Sequence, residues 1–143
     1  MMRLATVLFC LALPAHAWEF TATPVCTLSH DTPEASVTVT WDPRRTEPYA
    51  IAVTRAAPWA GAPVFAMRFD GPRGNTIVTD RHVTGDAGRT LTVTDRGFGN
   101  VLDGLEFNET ATALLGEESV PFPLEGAADP VRAFRACAEA ATV

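Results

Sequence analysis

The sequence predicts an all-β domain: an antiparallel sandwich or barrel-like sheet with one C-terminal α-helix packed on it. Three observations lead there. Short segments between residues 35 and 95 alternate apolar and polar side chains at period two, the mark of half-buried strands. Clusters of Gly, Pro and Asp punctuate them at close spacing, as in sandwiches and barrels. A stripe of apolar residues at helical spacing occurs only near the end of the chain.

The chain opens on a short basic region, Met1-Met2-Arg3, followed by an apolar stretch from Leu4 to Leu13 and an A-x-A site at Ala15-His16-Ala17. That is the layout of a cleaved secretory signal peptide over residues 1–17, leaving residues 18–143 as a single β-rich domain in the periplasm or secreted. A membrane-spanning helix needs about 20 apolar residues, more than this run supplies. A lipoprotein would modify Cys10, but the bulky Phe9 before it is wrong for that processing. Processing removes Cys10 and leaves Cys26 and Cys137, one near each end of the mature chain. In an oxidising compartment that pair reads as one disulfide tying the termini together.

Along the mature chain, Ala35 to Trp41 alternates cleanly, with Val37, Val39 and Trp41 toward the core. Asp42-Pro43-Arg44-Arg45 turns the chain. Tyr49 to Arg55 repeats the pattern with Tyr49, Ile51 and Val53, and Pro63 to Phe69 with Phe65, Met67 and Phe69. Thr76 to Asp80 and Thr90 to Asp95 are shorter and threonine-rich, which suits a half-exposed sheet face. Pro121 and Pro123 are two apart in Val120 to Leu124, so their missing N–H groups fall on one side of the strand and place it at an edge or bulge. The helix comes last: Asp129 is the expected N-cap, Pro130 the first helical residue, and Val131, Phe134, Ala138 and Ala141 the buried stripe. Arg132, Arg135 and Glu139 lie opposite, and Cys137 beside the stripe should face the sheet, where Cys26 can meet it.

The formal net charge is -6, and loss of Arg3 with the signal makes the mature chain about -7; all basic residues are Arg. That balance argues against nucleic acid, which is bound through cationic contacts to phosphate, and against anionic lipid surfaces.

Several segments are candidates for chemistry. Thr79-Asp80-Arg81 and Thr94-Asp95-Arg96 each end a threonine-rich strand. Converged, they would form a charged patch able to grip a carboxylate-bearing ligand; the plain alternative is two turns with surface arginines. Arg96-Gly97-Phe98-Gly99-Asn100 can form an anion nest or, more simply, a turn or bulge, with no helix expected to follow closely. His30 and His82 survive processing, but no HxH or HxxxH spacing accompanies them, so no metal is expected. Ser29, Ser36 and Ser119 are the mature serines and none lies in a nucleophile elbow. Trp59, inside the apolar loop from Ala56 to Pro63, either anchors a partner or folds over one end of the core. Asn108-Glu109-Thr110 matches the N-glycosylation pattern.

Val25 to His30, Pro48 to Arg55, Phe69 to Pro72, Thr79 to His82, Thr94 to Asn108 and Phe134 to Cys137 together resemble a group of short exported proteins from Gram-negative bacteria. Some members carry an excinuclease-subunit name, which an exported acidic chain without a phosphate-binding loop does not support. The resemblance implies export and architecture and brings no activity with it. The resulting expectation is a soluble periplasmic binding or accessory module without catalysis or cofactor, meeting a periplasmic protein through Asp80, Arg81, His82, Asp95, Arg96 and Trp59. The alternative is a small inhibitor of a cell-wall-degrading enzyme, an analogy of architecture to which an acidic surface lends a basic target.

Overall fold

The computed structural model describes residues 17–140, so the expected signal peptide lies outside it apart from Ala17, as does Ala141 of the helical stripe. Among the described residues, ten strands form two antiparallel sheets that do not close into a barrel. The larger sheet contains β1 (Glu19–Thr21), β2 (Cys26–Asp31), β3 (Ala35–Trp41), β4 (Tyr49–Arg55), β7 (Val83–Gly85) and β8 (Thr90–Asp95) in the order β1-β2-β3-β4-β8-β7. The smaller contains β5 (Phe65–Asp70), β6 (Asn75–Thr79), β9 (Thr110–Leu115) and β10 (Glu118–Pro123) in the order β10-β9-β5-β6.

The alternation in the sequence sets which faces turn inward. Val37, Val39 and Trp41 of β3 are buried, as are Ile51 and Val53 of β4 and Phe65, Met67 and Phe69 of β5. The proline argument holds: β10 is an edge strand, with Pro121 and Pro123 exposed and Val120 and Phe122 buried. Trp18 covers part of that edge, its indole N–H donating to the Pro123 carbonyl at 2.8 Å.

Cys26 and Cys137 form the expected disulfide, with Cα atoms 6.0 Å apart. It pins the terminal helix α2 (Ala128–Ala140) to β2. Val131, Phe134 and Ala138 are the buried face of that helix. The helix begins at Ala128, so Asp129 is not its cap. Asp129 lies instead in the first turn, where a carboxylate suits the helix dipole, and pairs with Arg132.

A second helix corrects the expectation of a single one. The segment after the Arg96-Gly97 turn forms α1 (Gly99–Phe107), beginning within the residues read as a bulge. Its local signals are poor: two glycines, no side-chain N-cap bond, no acidic residue in the first turn and no basic one in the last. Packing forms it instead. Leu102, Gly104 and Leu105 are buried, and a Cβ on Gly104 would lie 2.4 Å from the Phe69 ring. The C-terminus is closed by Asn108, whose Nδ2 donates to the carbonyls of Gly104 and Arg73 at 3.0 Å each while its Oδ1 accepts from the Arg73 N–H at 2.9 Å. Gly71 makes this approach possible, since a Cβ there would meet the Asn108 Cα at 2.8 Å. Arg135 joins the two helices through Asp103 at 2.6 Å and Glu106 at 3.3 Å, so it faces α1 rather than solvent.

Candidate functional site

β6 and β8 belong to different sheets, and the residues at and just beyond their C-terminal ends meet across the gap between the two layers. Arg81, just beyond β6, spans that gap. Its guanidinium donates to the Thr94 carbonyl at 3.1 Å and lies 3.2 Å from a Glu47 carboxylate oxygen and 3.5 Å from one of Asp95. The two Thr-Asp-Arg segments are therefore brought together, through the arginine of the first and the aspartate of the second.

The others of the set stand apart in different ways. Asp80 is exposed, and among the described residues it has no salt bridge. Asp95 also accepts the Arg96 N–H at 2.7 Å, a turn contact, and the Arg96 side chain is exposed. His82 is half-buried, with Nε2 3.0 Å from the Ala62 carbonyl and its ring 6.3 Å from that of Phe65. It straps the β6–β7 connection to the loop before β5.

Trp59 is not a surface anchor. It is 6% exposed, its indole N–H donates to the Val53 carbonyl at 3.2 Å, and the Arg55 guanidinium lies over its ring at 4.5 Å. Arg55 also pairs with Glu118, whose second oxygen accepts the Ala60 N–H. The loop is thereby locked over one end of the core, because an apolar ring with a single donor is best satisfied against the sheet.

Behind Arg81 the layers part into a cavity of about 450 Å³. Ile51 and Val93 line it from the larger sheet, Phe65, Met67 and Ile77 from the smaller, and Phe98 and Val101 from the start of α1. Thr79, Arg81, Asp95 and Asn100 supply the polar groups. Phe98 is held in place by Tyr49, whose ring stacks on it at 5.4 Å and in turn meets Phe134 of α2 at 6.4 Å. Burial raises the Tyr49 phenol above its ordinary pKa; the Glu139 carboxylate adds to the shift and Arg135 opposes it. The phenol stays neutral through the physiological range.

Sequence reasoning missed Glu47, which sits in an unpatterned turn, and the wall role of Phe98, visible only as the one apolar residue between Gly97 and Gly99. His30 is buried and stacked on Trp18 at 4.8 Å, a packing role. Among the described residues no group of three or more His, Cys, Asp or Glu could hold a metal ion, and no helix is long and apolar enough to cross a membrane. No family model, no curated protein and no solved structure matches this chain.

Proposed function

We propose that this chain is an exported, non-catalytic binding module whose binding element is the apolar cleft between its two sheets. The observation that carries this reading is the cavity itself. Its volume falls within the range of roughly 300–1,000 Å³ common for ligand sites, and it combines apolar walls with a few polar groups at the mouth. The chemistry at the mouth favours holding over reacting. Arg81 already engages both neighbouring carboxylates, and the lining residues include no His, Cys or Ser to act as base or nucleophile.

Titration with the apolar dye 1-anilinonaphthalene-8-sulfonate tests the reading. Fluorescence should saturate at one dye per chain. Ile77→Gln and Val101→Gln, at half-buried wall positions, should each weaken binding about tenfold while leaving Tm nearly unchanged. Dye binding indifferent to both substitutions would place the apolar surface elsewhere and end the proposal.

The net charge of -6 favours a second reading, inhibition of a basic cell-wall-degrading enzyme. Undiminished lysozyme turnover at a tenfold excess of the protein would dispose of it for that target.

A further inference from the structure

Resting on the cleft as the binding element, we propose that its ligand is uncharged, with an apolar body and a carboxamide-like head. The ion pairs of Arg81 are the specificity device that turns charged ligands away. Arg81 Nη2 lies 3.2 Å from Glu47 Oε2 and 3.5 Å from Asp95 Oδ2, and donates to the Thr94 carbonyl at 3.1 Å. The other two carboxylate oxygens are engaged as well. Glu47 Oε1 accepts the Thr94 hydroxyl at 3.3 Å, and Asp95 Oδ1 accepts the Arg96 N–H at 2.7 Å. Thr79 Oγ1 accepts the Arg81 N–H at 3.1 Å. Two carboxylates thus stand against one guanidinium, and each of their four oxygens already has a partner.

The walls behind the mouth, Ile51, Phe65, Met67 and Phe98 among them, offer an ion nothing. A charge carried in among them loses its hydration without finding a partner. An anion held at the mouth meets the excess of carboxylate, and a cation there must break contacts of Arg81 before it can pair. Specificity of this kind comes from disfavouring the wrong ligand.

One polar side chain in the lining remains uncommitted. Asn100 borders the same cavity, and among the described residues its carboxamide has no hydrogen-bond partner. It offers a donor and an acceptor together. Another carboxamide answers both, whereas a carboxylate or an ammonium answers only one. The part of the Arg81 guanidinium beyond Nη2 keeps donors for a neutral oxygen. α1 begins at that rim without a side-chain cap, which also favours an acceptor atom. A neutral carbonyl meets these donors without setting a further anion beside Asp95.

Three ligands sharing one body, 4-phenylbutanamide, 4-phenylbutanoate and 4-phenylbutylamine, are titrated at neutral pH against the dye bound to the full mature protein. The amide should bind about tenfold more tightly than either ion. Any apolar cavity prefers a neutral ligand to some degree, and two variants separate the mouth from the walls. Glu47→Gln with Asp95→Asn leaves Arg81 without a counter-charge. It should raise affinity for the butanoate about fivefold, as an exposed ion pair allows, with the amide unchanged. Asn100→Ala should weaken the amide about fivefold, the worth of one hydrogen bond, and leave butylbenzene unchanged. Equal or tighter binding of either ion than of the amide overturns the ligand class. An unmoved butanoate affinity in the double variant overturns the role of the ion pairs, and an unmoved amide affinity in Asn100→Ala overturns the head. Dye binding that none of the three displaces rejects this ligand and leaves the cleft reading intact; failure of dye and ligands alike removes both.

Discussion

Gly104→Ala isolates the contact on which α1, and with it one wall of the cleft, depends. On propensity alone the change should help, since Ala is about 1 kcal/mol better than Gly inside a helix. Tertiary structure opposes it. The new Cβ would lie 2.4 to 2.5 Å from three atoms of the Phe69 ring, against ordinary contacts of 3.4 to 4 Å, so ring or helix must move by about 1 Å. Phe69 is 1% exposed and has little room to turn. Overpacking of this kind costs about 1–3 kcal/mol, and three simultaneous clashes put it at the upper end. Net of propensity, the variant should lose about 2 kcal/mol, which for a domain of this size lowers Tm by about 8 °C. Urea unfolding at fixed pH measures the loss. Phe69→Leu, destabilising alone through lost burial, should cancel most of the Gly104→Ala penalty in the double variant. Equal or greater stability of Gly104→Ala would refute the reasoning: propensity would then dominate and α1 would not be pressed on the smaller sheet.

Cys137→Ser opens a loop whose ends are 111 residues apart, a loss of up to about 4.8 kcal/mol on the chain-entropy model. Intact mass should show no alkylation of the unreduced protein, and calorimetry a large fall in Tm. Asn108→Ala removes the partner of the buried Gly104 carbonyl and of the part-buried Arg73 N–H and carbonyl, and should cost about 1–3 kcal/mol by urea unfolding. Asn108 is 9% exposed with its amide fully used, so glycan attachment there should require an unfolded chain. The Asp42 carboxyl is held below its ordinary pKa by hydrogen bonds from the Arg44 side chain and backbone N–H. Its contribution to stability should be complete above the unfolded carboxylate value and fade as pH falls through the folded one. Carbon-detected NMR titration should show that low midpoint, and Arg44→Ala should move it upward.

Much of the scaffold was legible because its signals are local. Alternation in residues 35–41, 49–55 and 65–69 decides which side chains turn inward whatever their neighbours are, and those faces are buried as read except at Tyr49, which is half-buried at the strand's start. The proline spacing marked β10 as an edge, and Cys26 and Cys137, one near each end of the expected mature chain, marked the disulfide. Residues 99–107 misled because glycine and absent caps speak against a helix, while the opposing term, burial of Leu102 and Leu105 with Gly104 under Phe69, is contributed by residues far along the chain. Trp59 misled likewise: an apolar loop has the same composition on a surface or over a core, and the Val53 carbonyl and Arg55 guanidinium decide which.

By itself, then, the sequence determined a β-rich chain, the inward faces of its principal strands, one guarded edge and the disulfide. Strand order was decided only in three dimensions. Placing β6 in the smaller sheet and β8 in the larger brings Arg81 to Asp95 and Glu47 and opens the cleft behind them. Side-chain alternation is a property of each segment and is written in its own residues. Which strand lies beside which depends on burial and pairing summed over contacts between distant segments, and no stretch of sequence carries that sum.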